Sequence, residues 1–192
     1  MWRCVMIERF FRSKHFIPKE FHDTFFDIDF DQLYKKGIRL ILTDLDNTLI
    51  SYQEDIMTKV MIDKFDELAN QGFEVIIISN NRPERVEKYV RGTKILGIGS
   101  ARKPFFKGIK KALDMASKTY YDDEICLIGD QLVTDIYLSN RFGIYGVLVN
   151  PIARKTEKFY TKMNRRLEER MLQKIAKKHP DVFARLKLEK RR

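Results

Sequence analysis

Asp44 and Asp46 stand two residues apart at the end of an apolar run, Ile41-Leu42-Thr43-Asp44-Leu45-Asp46-Asn47-Thr48-Leu49. A carboxylate can attack phosphorus. The acyl phosphate so formed is a mixed anhydride, which splits one difficult hydrolysis into two easier displacements. Asp44 fits that nucleophile. Asp46, on the turn that follows, fits a group that protonates the leaving oxygen and then deprotonates water. Asp-x-Asp by itself is also a common loop cap, so its meaning depends on which other groups reach it.

Three further clusters supply such groups. Ser79-Asn80-Asn81 follows the buried-looking run Val75 to Ile78 and precedes Arg82-Pro83-Glu84, where Pro and Glu suit the first turn of a helix. A hydroxyl and the free N–H groups of a helix start bind anions, so Ser79 and Asn80 are candidate phosphate ligands, with Arg82 a weaker one. Lys103, in Ala101-Arg102-Lys103-Pro104-Phe105, could keep Asp44 ionised and neutralise phosphoryl oxygens. Gly129-Asp130-Gln131-Leu132-Val133-Thr134-Asp135 adds two more carboxylates. Magnesium takes hard oxygen ligands in an octahedron, and Asp44, Asp130 and the backbone carbonyl of Asp46 would supply them. Asp135, one turn on, would act through water or orient its neighbours.

Positioning these residues requires a sheet. Five short apolar runs, Ile38 to Leu42, Val75 to Ile78, Ile95 to Ile98, Ile125 to Ile128 and Tyr145 to Val149, alternate with helix-length segments. The segments are Met57 to Asn70, Pro83 to Arg91, Phe106 to Lys118 and Leu132 to Phe142. Alternation of this kind predicts an α/β three-layer sandwich around a five-stranded, mainly parallel sheet. Ligands bind such sheets beyond the carboxyl ends of the strands, and every candidate residue falls there.

The 192 residues carry a net charge of +10 that is unevenly placed. Residues 151–192 hold 15 Lys+Arg against 5 Asp+Glu, and the remainder is balanced at 22 each. The expected organisation is an amphipathic N-terminal segment over 1–37 packed on or beside the core, a core over 38–153, and a basic helical extension over 154–192. In the extension Phe159, Met163, Leu167, Met171 and Ile175 recur every four residues among Lys158, Lys162, Arg165, Arg166, Arg170 and Lys174. Such a helix over 154–178 could lie on an anionic phospholipid surface, bind nucleic acid, or pack on the domain. A second interfacial patch could come from Trp2, Val5, Met6, Phe10, Phe11 and Phe16 with Arg3, Arg9, Arg12 and Lys14. Cys4 and Cys126 cannot make a disulfide framework. With no secretory or membrane-spanning pattern, the expected location is the cytoplasm, peripheral to the inner face of a membrane.

Taken in order, Asp44-x-Asp46-x-Thr48, Ser79, Lys103 and Gly129-Asp130-x-x-x-Thr134-Asp135 resemble the four motifs of the haloacid dehalogenase (HAD) superfamily of phosphatases. The resemblance covers about residues 38 to 150. Within the superfamily the chain is similar to the YqeG-type subfamily, IIIA. That resemblance implies a Mg2+-dependent phosphomonoesterase working through an aspartyl-phosphate, with Thr48 and Asp135 in support. Because relatives include phosphatidylglycerophosphate phosphatases, it also implies a lipid phosphate as substrate. The intervals Thr48–Ser79 and Ser79–Lys103 leave no room for an inserted cap domain, which predicts an open site. Alternatives are the same chemistry on a soluble sugar phosphate or nucleotide, and an RNA-binding or scaffold protein with a vestigial core. A receiver-type signalling domain would leave Asp46 unexplained.

Overall fold

Strands buried on both faces need side chains that are apolar throughout, and the runs Leu40-Ile41-Leu42 and Val75-Ile76-Ile77-Ile78 meet that condition. The computed structural model describes residues 12–154 and 159–191, without the side chains of residues 159 and 160. Six strands form one sheet: β1 Glu20–His22, β2 Leu40–Thr43, β3 Glu74–Ile78, β4 Leu96–Ile98, β5 Ile125–Gly129 and β6 Tyr145–Val149. Their order is β1-β6-β5-β2-β3-β4, and every pairing is parallel. The chain builds outward from β2 in one direction and from β5 in the other. The carboxyl ends of these two neighbours therefore mark the switch point at which loops diverge and leave a crevice.

Helices cover both faces. On one, α1 (Phe30–Lys35), α2 (Lys59–Asn70) and α3 (Pro83–Val90) pack Leu33, Met61, Phe65, Leu68 and Val86 against Ile41, Val75, Ile77 and Ile128. On the other, α4 (Lys107–Met115) and α5 (Tyr137–Phe142) set Ile109, Ala112 and Leu138 against Leu40, Leu42, Ile76 and Leu127. Thr58 caps α2 through its hydroxyl, and Pro83 occupies the first turn of α3, where a missing N–H costs nothing. The segment expected as one helix over Leu132 to Phe142 divides into a π-helical turn, Leu132–Ile136, followed by α5.

Two expectations change. The sheet has six strands rather than five, because Glu20–His22 joins the outer edge beside Val147 to Val149. This strand is three residues long and carries Glu20 and His22, so it has none of the apolar continuity that marks the inner strands. Glu20 fastens the edge by accepting from Lys36 at 2.5 Å, Tyr145 at 2.8 Å and His22 at 2.8 Å, which together draw its carboxyl down to about 2, with the His22 contact the leading cause. A boundary at residue 38 thus cuts through the sheet's own structure. Phe16 is also fully buried and stacks on Tyr137, with ring centroids 4.9 Å apart. Cys4 and the other apolar members of the N-terminal patch lie outside the described residues.

The second change concerns the basic extension. Helix α6 (Phe159–Lys178), followed by α7 (Pro180–Arg185), turns its apolar stripe inward. Met171, Ile175 and Leu188 are buried with Phe16, Leu132, Ile136 and Leu148, and Leu167 packs partly buried against them. The four-residue spacing does mark a buried face, but the core covers that face. Met163 alone of the stripe's described residues stays mostly exposed. Ile175→Ala should therefore destabilise the whole protein by about 2–5 kcal/mol through the cavity it leaves. Urea denaturation measures this directly, and a freely projecting tail would give no change.

Candidate active site

At the end of β2 the Asp44 N–H donates to the Ile128 carbonyl at 2.8 Å, so the β2–β5 ladder itself fixes where Asp44 begins. The chain then tightens. The N–H groups of Thr48, Leu49 and Ile50 converge on the Leu45 carbonyl, and Asn47 adopts a left-handed φ of 65°, which asparagine tolerates. This loop leaves Asp44 and Asp46 facing one cavity of about 290 Å³. Its lining includes Ser79, Asn80, Lys103, Gln131, Thr134 and Asn164.

Lys103 is buried between two carboxylates, with its Nζ 2.6 Å from Asp44 Oδ1 and 2.7 Å from Asp135 Oδ1. Burial works against the ammonium's charge, yet Asp135 and Asp44 outweigh it and raise the lysine pKa. Asp44 is pushed well up from the usual carboxylate range by burial. Lys103 opposes that shift, and the negative charges of Asp135 and Asp130 add to it. Asp130, fully buried, is raised to about 6, again chiefly by burial and against the pull of Arg165. Asp44, Asp130 and Asp135 can each present an oxygen within 4.8 Å of the other two. A buried trio of hard oxygens with excess negative charge suits a divalent cation. Asp135 thus lies within reach of the same point as Asp44 and Asp130. Gly129 makes room for this, since a Cβ there would fall 2.3 Å from Asp135 Cγ.

The phosphate-binding candidates divide. Ser79 is buried on the cavity, and its Oγ accepts from the Asn81 N–H at 3.0 Å. The Asn80 side chain is turned to a different task. Its Oδ1 accepts from the Lys103 N–H at 2.6 Å and its Nδ2 donates to the Lys103 carbonyl at 3.0 Å. Asn80 therefore clasps the peptide that carries Lys103. Thr48 Oγ1 lies 3.5 Å from Asp130 Oδ1, at the outer limit of a hydrogen bond. Asp46 accepts from Asn81 Nδ2 at 3.1 Å and from Arg85 Nε at 2.7 Å. Arg85 also holds Asp55 and the Ser51 carbonyl. Arg82, which the sequence offers only as a weaker phosphate candidate, is the exposed N-cap residue, and Arg85 is the inward one.

The largest omission is Arg165. Its Nη2 pairs with Asp130 Oδ2, and its Nη1 donates to the Asp130 carbonyl at 2.7 Å and to Glu168 Oε2 at 2.8 Å. Arg191 reaches the same carbonyl and Glu168 Oε1. Glu168 also accepts from the Leu132 N–H at 3.0 Å. Burial would raise its pKa, but Arg191 and Arg165 outweigh that and lower it. Helix α6 supplies a wall as well. Asn164 Nδ2 donates to Gln131 Oε1 at 3.1 Å, and Thr161 Oγ1 lies 3.2 Å from the Tyr52 hydroxyl. The cavity is therefore walled on one side by the C-terminal helix, where the short motif intervals had predicted an open site.

Paired carboxylates, a lysine bridged between two of them and a cation-ready trio at the switch point of a parallel sheet are the parts of a phosphatase. The chain belongs to the family described as mitochondrial PGP phosphatase, whose model matches residues 4–152. It is 36% identical over 167 residues to "Probable phosphatase YqeG" of Bacillus subtilis (strain 168), covering 86% of this chain and 95% of that protein. Among solved structures it is similar to the hypothetical protein XCC2798 from Xanthomonas campestris, with 12% identity and a TM-score of 0.48. That match covers 74% of this chain and 79% of the other.

Arg165→Met should cost about 3–5 kcal/mol, since it leaves the buried Asp130 carboxylate without its guanidinium and Glu168 with Arg191 alone. Lys162→Ala, on the exposed side of the same helix, should stay within about 0.5 kcal/mol. Chemical denaturation of the metal-free proteins checks the contrast. Equal small effects would mean that Arg165 is no more embedded than its neighbours.

Proposed function

We propose that this phosphatase acts through an aspartyl-phosphate on Asp44, with Mg2+, on the phosphomonoester of phosphatidylglycerophosphate. The observation that carries the mechanism is the Lys103 ammonium held at 2.6 Å from Asp44 and 2.7 Å from Asp135. It opposes the burial that pushes the Asp44 carboxyl up and so favours the ionised nucleophile. In the first step an Asp44 oxygen bonds to phosphorus while the phosphorus–oxygen bond to the leaving group breaks, and Asp46 gives its proton to that oxygen. In the second, Asp46 takes a proton from water as the water oxygen attacks phosphorus, and the bond to Asp44 breaks. Proton transfer requires Asp46 to part from Arg85 Nε. Arg85 keeps Asp55 and the Ser51 carbonyl when it does so.

The residues that would hold Mg2+ are Asp44, Asp130 and the Asp46 carbonyl, and the carboxylate trio adds Asp135. When bound, the cation would neutralise charge as a carboxylate approaches a phosphate dianion. Ser79 Oγ and the backbone N–H of Asn80 and its neighbours would receive the phosphoryl oxygens. The lipid substrate is supported by the family's description and by a cavity of about 290 Å³ beside Asp44 and Lys103. The wall from α6 supports a second reading, a soluble sugar phosphate or nucleotide, because Asn164 and Gln131 could meet such a leaving group without a second subunit.

Asp44→Asn should abolish both turnover and acid-stable labelling by a phosphoryl donor, because an amide does not accept the phosphoryl group. Activity in a folded variant would exclude Asp44 as nucleophile. Chelation should remove activity, and Mg2+ should restore it. Phosphate release from phosphatidylglycerophosphate in vesicles, set against release from soluble phosphomonoesters, separates the two substrate readings.

A further inference from the structure

Among the described residues, six large apolar or aromatic side chains are more than half exposed: Ile56, Val60, Phe105, Tyr121, Ile152 and Met163. Tyr121 has a hydroxyl and precedes β5 at the amino end of the sheet. The other five are apolar and range from 52% to 71% exposed. Ile56, Val60, Phe105 and Ile152 follow the carboxyl ends of β2, β4 and β6, Met163 stands on α6, and none of the five lines the cavity itself.

Each of the five is linked to the site by its neighbours. Ile56 follows Asp55, which pairs with the Arg85 that also holds Asp46. Val60 lies in the first turn of α2, just beyond Ile56. Phe105 comes two residues after Lys103, and its N–H bonds the Arg102 carbonyl at 2.9 Å. Ile152 donates its N–H to the Asn47 carbonyl at 3.0 Å, on the loop that carries Asp46. Met163 stands on α6 between the cavity-lining Thr161 and Asn164. The same loops and helix starts expose Arg82, Arg102, Lys107 and Lys162. Of the acidic residues there, Asp55 is paired with Arg85 and Lys88, and Glu54 and Glu84 keep their charge against these four cations.

We infer that this apolar rim with its exposed cations is a docking surface for an anionic lipid bilayer, by which the cavity is pressed onto the membrane. The inference rests on the lipid-phosphate reading of the site. A cavity of about 290 Å³ does not enclose two acyl chains, and withdrawing them from a bilayer costs free energy for every methylene exposed. Acyl chains therefore stay in the membrane, and the phosphate end is reached only if the cavity mouth meets the surface. Apolar side chains set around that mouth enter the interface, and lysines and arginines beside them face anionic head groups. This surface differs from the stripe of α6, whose Leu167, Met171 and Ile175 are spent on the core.

The test compares the wild-type full chain with the triple variant Ile56→Ser, Phe105→Ser, Met163→Ser. None of these residues belongs to the catalytic or phosphate-binding set, and their exposure makes the changes tolerable to the fold. Flotation with phosphatidylglycerol–phosphatidylcholine vesicles that contain no phosphomonoester lipid reads docking alone. The variant should lose vesicle partition by about tenfold or more, and Arg102→Glu with Lys107→Glu should weaken it in low salt but not in high. Turnover of a small soluble phosphomonoester should stay within about twofold of wild type. Unchanged partition of the triple variant, or absence of wild-type partition, overturns the proposal. Loss of a dimer on sedimentation without loss of vesicle binding also overturns it, and makes the rim a contact between copies of the chain. Docking that behaves as expected while vesicle-borne phosphatidylglycerophosphate stays intact would refute the lipid-substrate reading and leave the docking surface standing.

Discussion

Five acidic side chains, Asp44, Asp46, Asp130, Asp135 and Glu168, are buried within one end of the sheet, and the arrangement of the molecule follows from the need to compensate them. A carboxylate removed from water costs several kcal/mol unless cations and hydrogen-bond donors replace the lost hydration. Lys103 serves Asp44 and Asp135, Arg85 serves Asp46, and Arg165 with Arg191 serves Glu168 and the Asp130 peptide. Each cation comes from a different element. The clustered acids thus draw together the β4–α4 loop, α3, α6 and the last residues of the described chain.

This accounts for why a strongly basic C-terminal helix folds onto the domain at all. Its apolar stripe supplies contact with Leu132, Ile136 and Leu148, but apolar contact alone would tolerate sliding by a turn. The Arg165 pairings to Asp130 and Glu168 do not, because a guanidinium fork bonds its partners at a defined angle and depth. Register is therefore set by charge and adhesion by burial. The family match ends at residue 152, so the wall of the cavity comes from a part of the chain that lies beyond the matched core.

The contrast between what the sequence made legible and what it did not has one physical cause, locality. Asp44, Ser79, Lys103 and Asp130 each follow an apolar run, so a rule about strand ends is enough to bring them together. Nothing in Ser79-Asn80-Asn81 tells that the Asn80 side-chain amide will close on the Lys103 peptide. Arg85, Arg165, Glu168 and Arg191 were missed because their roles arise from contacts across 39, 35, 36 and 61 positions of chain. Periodicity along α6 announced a buried face correctly, but periodicity carries no information about what does the burying. The edge strand β1 was invisible for a related reason. Three residues with two ionisable side chains hold too few apolar positions to show an alternation, and the pairing with β6 is decided by the partner.

The same end of the molecule combines two properties that ordinarily exclude each other, a charged interior and an apolar rim. The combination is consistent because the two sets of groups answer to different solvents. The carboxylates and their cations sit under the loops, where side-chain and backbone partners replace water and leave room for a cation. Ile56, Phe105 and Ile152 project from those same loops and Met163 from α6, and among the described residues no helix or strand covers them. In water this exposure is unfavourable by the apolar area left uncovered, while the loops cannot turn the groups inward without displacing Asp55, Lys103 or Asn47 from the bonds that position the site. Chemistry at the centre therefore fixes the backbone of the rim and leaves its apolar groups uncovered among the described residues.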